Sequence, residues 1–193
     1  MMLQARFAAF TGTLVFSVLL TACVGLPNFN SVGQISAHDL EEPTQGIVIF
    51  SVGAKEHCAG AANVGNIRHA DGAEVIQTFS IDADSFRSDF ADHKGVVDAF
   101  VLPEGHYVIR PSAPYADDTP VGVPSFGFDV VAGVTTYIGG LYMPEACTAP
   151  ARYEIRDRYE RDMMAARVKN AVLIKHKVQR QLMRREPAGH APT

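Results

Sequence analysis

Between residues 46 and 142 the sequence is cut into short β-branched and aromatic runs by glycine, proline and aspartate, and this punctuation limits the fold more than any other feature. Runs of this length suit strands rather than helices. Gly46-Ile-Val-Ile-Phe-Ser-Val-Gly53 is almost continuously apolar, the pattern of a strand covered on both faces. Residues 66–69 and 73–81 flank Ala70-Asp71-Gly72, and Asp-Gly supplies the positive φ angles of a tight hairpin turn. Residues 95–102 and 106–110 around Pro103-Glu104-Gly105 read as a second hairpin, and residues 126–131 and 134–142 around Ala132-Gly133 as a third. Residues 151–155 supply a last strand. The expected fold is mainly β: a single antiparallel β-sandwich of about seven strands over residues 46–155, followed by a C-terminal α-helical segment.

The charge balance changes where the sandwich ends. Residues 24–150 hold 16 acidic and 5 basic side chains, whereas residues 151–193 hold 5 acidic and 11 basic ones, so the two parts attract each other. Asp157 is placed to cap a helix in which Tyr159, Met163 and Ala166 recur at helical spacing, and Ile174, Val178 and Leu182 continue at i+4. Residues 156–185 therefore read as a basic amphipathic helical segment with its apolar stripe on the sandwich. The alternative is that Lys175, Lys177, Arg180, Arg184 and Arg185 bind anionic lipid or an acidic envelope protein. Residues 186–193, with Pro187, Gly189 and Pro192, read as a disordered tail.

At the other end, Arg6 is the only charged residue before His38, and residues 7–20 form an apolar run too short for a comfortable membrane span. The run ends in Leu20-Thr21-Ala22-Cys23, which closely resembles the lipobox of bacterial lipoproteins. The resemblance implies removal of residues 1–22 as a signal peptide and lipidation of Cys23. Two or three acyl chains anchor a protein stably, because each buried methylene adds about 0.8 kcal/mol. Val24 follows the cysteine where an Asp would imply retention in the inner membrane. In an envelope with two membranes, the resemblance thus implies the periplasmic face of the outer one. Residues 23–45, rich in Pro, Asn, Ser and Gly, read as a flexible tether. In that compartment nucleic acid is not an expected partner.

Two cysteines remain. Cys58 and Cys147 form an even pair in an oxidising compartment, which favours a disulfide over two free thiols. Each follows a predicted strand, so a bond would place those strand ends at the same end of the sandwich.

Leu102-Pro-Glu-Gly-His-Tyr-Val-Ile109 and Phe126-Gly-Phe-Asp-Val-Val-Ala-Gly-Val-Thr-Thr-Tyr-Ile-Gly139 resemble the paired segments of carboxypeptidase-regulatory-like and prealbumin-like sandwiches, and of bacterial lipoprotein domains built from the same two segments. Glu104 departs from the Pro-Gly-x-Tyr form usual there. Those families imply no catalytic residues, and Tyr107 is expected to pack its ring inward with its hydroxyl at the rim.

Chemistry-bearing motifs are sparse. Residues 82–93 begin like a calcium loop, but Arg87 stands where the loop needs Gly and His93 where it needs Glu. His69 and Asp71 could share one strand face, yet two ligands beside a turn are more often hydrogen-bonded than metal-bound. His57 adjoins Cys58, but neighbouring side chains on a strand point to opposite faces. No cofactor motif is present. The expected function is a non-enzymatic, lipid-anchored structural or binding module, with loop 111–125 or the basic C-terminal segment carrying recognition. The alternative is an exported hydrolase whose site is gathered from several loops.

Overall fold

A computed structural model describes residues 31–54, 63–72, 74–81, 88–112, 124–144 and 153–186. These residues are mainly β, with two sheets and two α-helices. The strands are β1 (Gln45–Ala54), β2 (Asn63–His69), β3 (Val75–Ile81), β4 (Lys94–Pro103), β5 (Gly105–Ser112), β6 (Ser125–Val130), β7 (Thr135–Met143), β8 (Glu154–Arg156), β9 (Gln179–Arg180) and β10 (Arg184–Glu186), ten rather than the seven expected. Helix α1 (Ala37–Glu41) precedes β1, and α2 (Tyr159–Lys169) follows β8. No helix among the described residues is long and apolar enough to cross a membrane.

The first sheet runs β4-β1-β7-β8, with β9 also alongside β7; the second runs β10-β6-β5-β2-β3. Pairing is not purely antiparallel, because β7 lies parallel to both β1 and β9. The β2–β3 hairpin forms as the sequence predicts. Positive φ, however, occurs not at Gly72 but at Gly133 and Gly139. The other two expected hairpins are corners between sheets. Strand β4 pairs with β1 and β5 with β2 and β6, so Pro103-Glu104-Gly105 carries the chain from the first sheet to the second. Ala132-Gly133 brings it back from β6 to β7. At the first corner Tyr107 is fully buried and its hydroxyl donates to the Pro103 carbonyl at 2.8 Å, the arrangement of a tyrosine corner.

One hydrophobic cluster takes Val48, Phe50, Phe100, Leu102, Ile138 and Leu141 from the first sheet and Ile67, Tyr107, Ile109, Phe126 and Phe128 from the second. Alternate residues of the same first-sheet strands, Ile47, Ile49, Val97, Ala99 and Tyr137, enter another cluster with Met163 and Ala166 of α2, Leu173, Val32 and Ile35. Both faces of β1 are thus covered, as its continuous apolar run requires.

Two segments depart from expectation. Residues 31–41 are not a spacer: Val32 is fully buried and Ile35 nearly so, and Ser36 caps α1 by accepting from the Asp39 amide. The Asn170 side chain, just past α2, donates to the carbonyls of Val32 (2.8 Å) and Ile35 (2.7 Å). Residues 156–185 are not one helix either. Helix α2 ends at Lys169 with Asn170 as its C-cap, a 3-10 turn covers Ala171–Leu173, and the chain then extends as β9 and β10. A spacing of four residues fits a helix, but it is also two strand repeats, so Val178 and Leu182 reach the second cluster from an extended backbone. Asp157 does not cap α2; it forms an ion pair with Arg180, and the N-cap is Arg158.

Helix α2 is pinned by one carboxylate. Asp162 is fully buried, and its Oδ2 accepts from the Ser51 hydroxyl of β1 (2.6 Å) and the Tyr137 hydroxyl of β7 (2.7 Å). Its Oδ1 receives the Arg161 guanidinium through Nε (2.9 Å) and Nη2 (2.8 Å). Glycine makes this geometry possible. The β1–β7 register slips so that Ile49 faces Tyr137 and Ser51 faces Gly140, with Gly139 at φ 94° inside the bulge. A Cβ on Gly140 would lie 2.4 Å from the Ser51 hydroxyl oxygen. Replacing Asp162 by Ala leaves two buried hydroxyls without their acceptor and Arg161 without its partner. The expected loss is about 3–5 kcal/mol in urea unfolding followed by circular dichroism.

Candidate functional site

Serine, tyrosine, aspartate and arginine converge at Asp162, so this group is the first place to look for chemistry. Its geometry is that of a closed structural contact. Both carboxylate oxygens are occupied, Asp162 has no exposure, and the Tyr137 hydroxyl also accepts from the Arg158 amide at 3.2 Å. Burial and the neighbouring Asp162 carboxylate push the Tyr137 phenol far above its ordinary value, which keeps it a neutral donor.

His69 and His106 lie on the paired strands β2 and β5, where the Ala70 amide donates to the His106 carbonyl at 3.0 Å. His69, in β2, stacks on Tyr107 with ring centroids 4.5 Å apart. His106, in β5, meets Asp129 of β6 at 2.7 Å on the surface. His93, just before β4, stacks on Phe90 and meets Asp92 at 2.7 Å. Strand β4 separates His93 from His106, a span of about 30 Å for its length. Among the described residues no three His, Cys, Asp or Glu side chains are placed to hold a metal ion.

Cys23, Cys58, Cys147 and His57, together with most of loop 111–125, lie outside the described residues. The strands leading to the second and third cysteines are described. Ala54 ends β1 and Met143 ends β7; they are registered side by side in the parallel pair, and each cysteine follows four residues later.

The five basic residues singled out by sequence do not form one stripe. Lys175 and Lys177 are exposed after the 3-10 turn. Arg180 lies in β9 and pairs with Asp157. Arg184 and Arg185 lie in β10, in the second sheet, where Arg185 donates to the Tyr153 carbonyl at 3.2 Å. Helix α2 instead carries apolar groups on both sides. Tyr159, Met163 and Ala166 face the first sheet, while Met164 and Val168 point away and are 64% and 83% exposed; Ile174 beyond the helix is 57% exposed. These three line a groove of about 810 Å³ with Glu160, Arg161 and Arg167. Arg161 also lies over the Phe90 ring at 4.0 Å.

Beside this face, side chains cover the open edge of β4. Asp89 accepts from the Val97 amide (2.7 Å), Lys169 donates to the Val97 carbonyl (3.0 Å) and pairs with Asp89 (2.5 Å), and Asp98 accepts from the Ala99 amide (3.0 Å). The sequence signals for this site were present but weak. Asp162 falls among the apolar positions of α2, and Gly139-Gly140 interrupts a strand, a mark of a bulge or a close approach.

No family model matches the chain, and no curated protein matches it either.

Burial raises the Asp98 carboxyl to about 6 from 3.8, against the opposing pull of the Ala99 amide and Lys169. A carboxyl raised in the folded state contributes full stability below its unfolded value, and that contribution is lost as pH climbs through the folded one. Stability should therefore fall between pH 4 and 6 on account of this group. Asp98→Asn should flatten that slope and gain on the order of 2 kcal/mol at pH 8, read from urea unfolding at each pH.

Proposed function

We propose that the chain is a lipid-anchored protein of the bacterial cell envelope whose folded part is a non-enzymatic β-sandwich serving a structural or binding role. The observation that carries the reading is Leu20-Thr21-Ala22-Cys23 at the end of an apolar run of signal-peptide length. Removal of residues 1–22 and acylation of Cys23 leave seven residues between Cys23 and Ser31, where the described chain begins. In an envelope with two membranes, Val24 after the cysteine gives the periplasmic face of the outer one as the address. The sandwich is supported by a cluster that both sheets share. Likeness to carboxypeptidase-regulatory-like and prealbumin-like sandwiches is supported by the inward ring of Tyr107 and its bond across the corner. The reading of Asp162 as structural is supported by its bonds, which are spent inside the protein. A Cys58–Cys147 disulfide is part of the same reading, supported by the side-by-side ends of β1 and β7 and the equal four-residue reach to each cysteine.

Cys23→Ser should move the protein from the membrane fraction to the periplasmic extract, and the mature wild-type terminus should show by mass spectrometry an acylated residue 23. An intact Met1, or residue 23 without fatty acid, refutes the anchor. Cys58→Ser should lower stability by about 4–5 kcal/mol on the entropic account of closing so long a loop, and reducing agent should then have no further effect. An unchanged melting temperature removes the bridge.

A further inference from the structure

The face of α2 turned away from the first sheet is apolar at its centre and basic around it. Met164, Val168 and Ile174 are exposed, and residues 158–177 carry six Arg or Lys against Glu160 and the buried Asp162, with Arg161 paired to Asp162 and Lys169 to Asp89. Such a surface matches an anionic bilayer, into which apolar side chains insert while Lys and Arg extend toward the headgroups. The chain path selects the same occupant. Ser31 begins the described chain, and Val32, next to it, is held by Asn170 at the end of α2, two residues from Val168. Cys23 lies eight residues before Ser31, so an extended connection spans at most about 28 Å. A lipid on Cys23 therefore keeps the α2 layer near the membrane. The second sheet lies on the other side of the first, about 10 Å further per layer.

We infer that Met164, Val168 and Ile174, with Arg161 and Arg167 in the same groove and the exposed Lys175 and Lys177 just after Ile174, rest on the anionic surface of the bilayer that holds Cys23. This deepens the proposed function and rests on its lipid anchor. Lipid on Cys23 supplies residence, and the α2 face fixes orientation, turning the outer face of the second sheet away from the membrane. Glu160, Asp89 and Asp92 are the acidic groups beside the patch; Asp89 is paired with Lys169 and Asp92 is engaged with His93.

The chain contains no tryptophan, so a single introduced one reports its own surroundings. Lipidated mature protein carrying Val168→Trp, Ile174→Trp or Asp129→Trp is reconstituted into vesicles containing brominated lipid, with or without phosphatidylglycerol. Asp129 is exposed on β6 of the second sheet and serves as the distant control. Tryptophan at 168 and 174 should be quenched several-fold more than at 129, only with phosphatidylglycerol present, and Lys175→Glu with Lys177→Glu should abolish the difference. Equal quenching at 168, 174 and 129, or indifference to phosphatidylglycerol, overturns the inference. So does a blue-shifted but unquenched signal at 168, the mark of a protein covering this face. Co-flotation with the vesicles is scored separately: failure to float refutes the lipid anchor, whereas flotation without quenching refutes only the docking.

Discussion

The carboxylate of Asp162 joins three elements that are far apart in sequence: β1 through Ser51, β7 through Tyr137, and its own helix through Arg161. A buried carboxylate is costly to desolvate, and here that cost is offset by donors at both oxygens. The contact fixes the azimuth of α2 about its axis. With Asp162 turned inward, Met163 and Ala166 meet the first sheet and Met164 and Val168 are left outside. The exposed apolar face is thus a geometric consequence of the buried polar one, since side chains two and six residues along a helix from an inward carboxylate point outward.

The same layer organises the chain's beginning. Asn170 ends α2 and uses its amide to hold Val32 and Ile35 while its carbonyl accepts from Val172 at 3.0 Å. Lys169, one residue earlier, occupies the open edge of β4 with Asp89. Capping of the helix, attachment of residues 31–35 and covering of a sheet edge therefore occur within two residues. An edge strand whose amides and carbonyls are taken by side chains is a poor template for another chain. The segment nearest the proposed anchor is thereby held on the helix whose outer face is apolar and basic.

Legibility in the sequence varied with the range of the interaction. The continuous apolar run of β1 announced a strand covered on both sides, the β2–β3 hairpin was marked by its turn, and Tyr107 was placed inward. Strand-turn-strand punctuation at residues 103–105 and 132–133 was equally clear, yet those turns pass between sheets instead of closing hairpins. A turn signature states that the chain changes direction and is silent on which strand will be the neighbour. The basic C-terminal segment misled for a different reason: a four-residue spacing is compatible with both helix and strand, and β7 and β6 offered edges on which β9 and β10 could pair.

The sequence by itself determined the β-rich class and the boundary where charge changes sign. Each is a property of local composition or period, written in consecutive residues. Tertiary structure alone decided that residues 31–41 belong to the folded unit, that α2 stops at Lys169, and that Ser51, Tyr137 and Asp162 meet. Those outcomes depend on a parallel register between β1 and β7 and on a bulge one residue wide, and such long-range choices are made by packing both faces of a sheet at once.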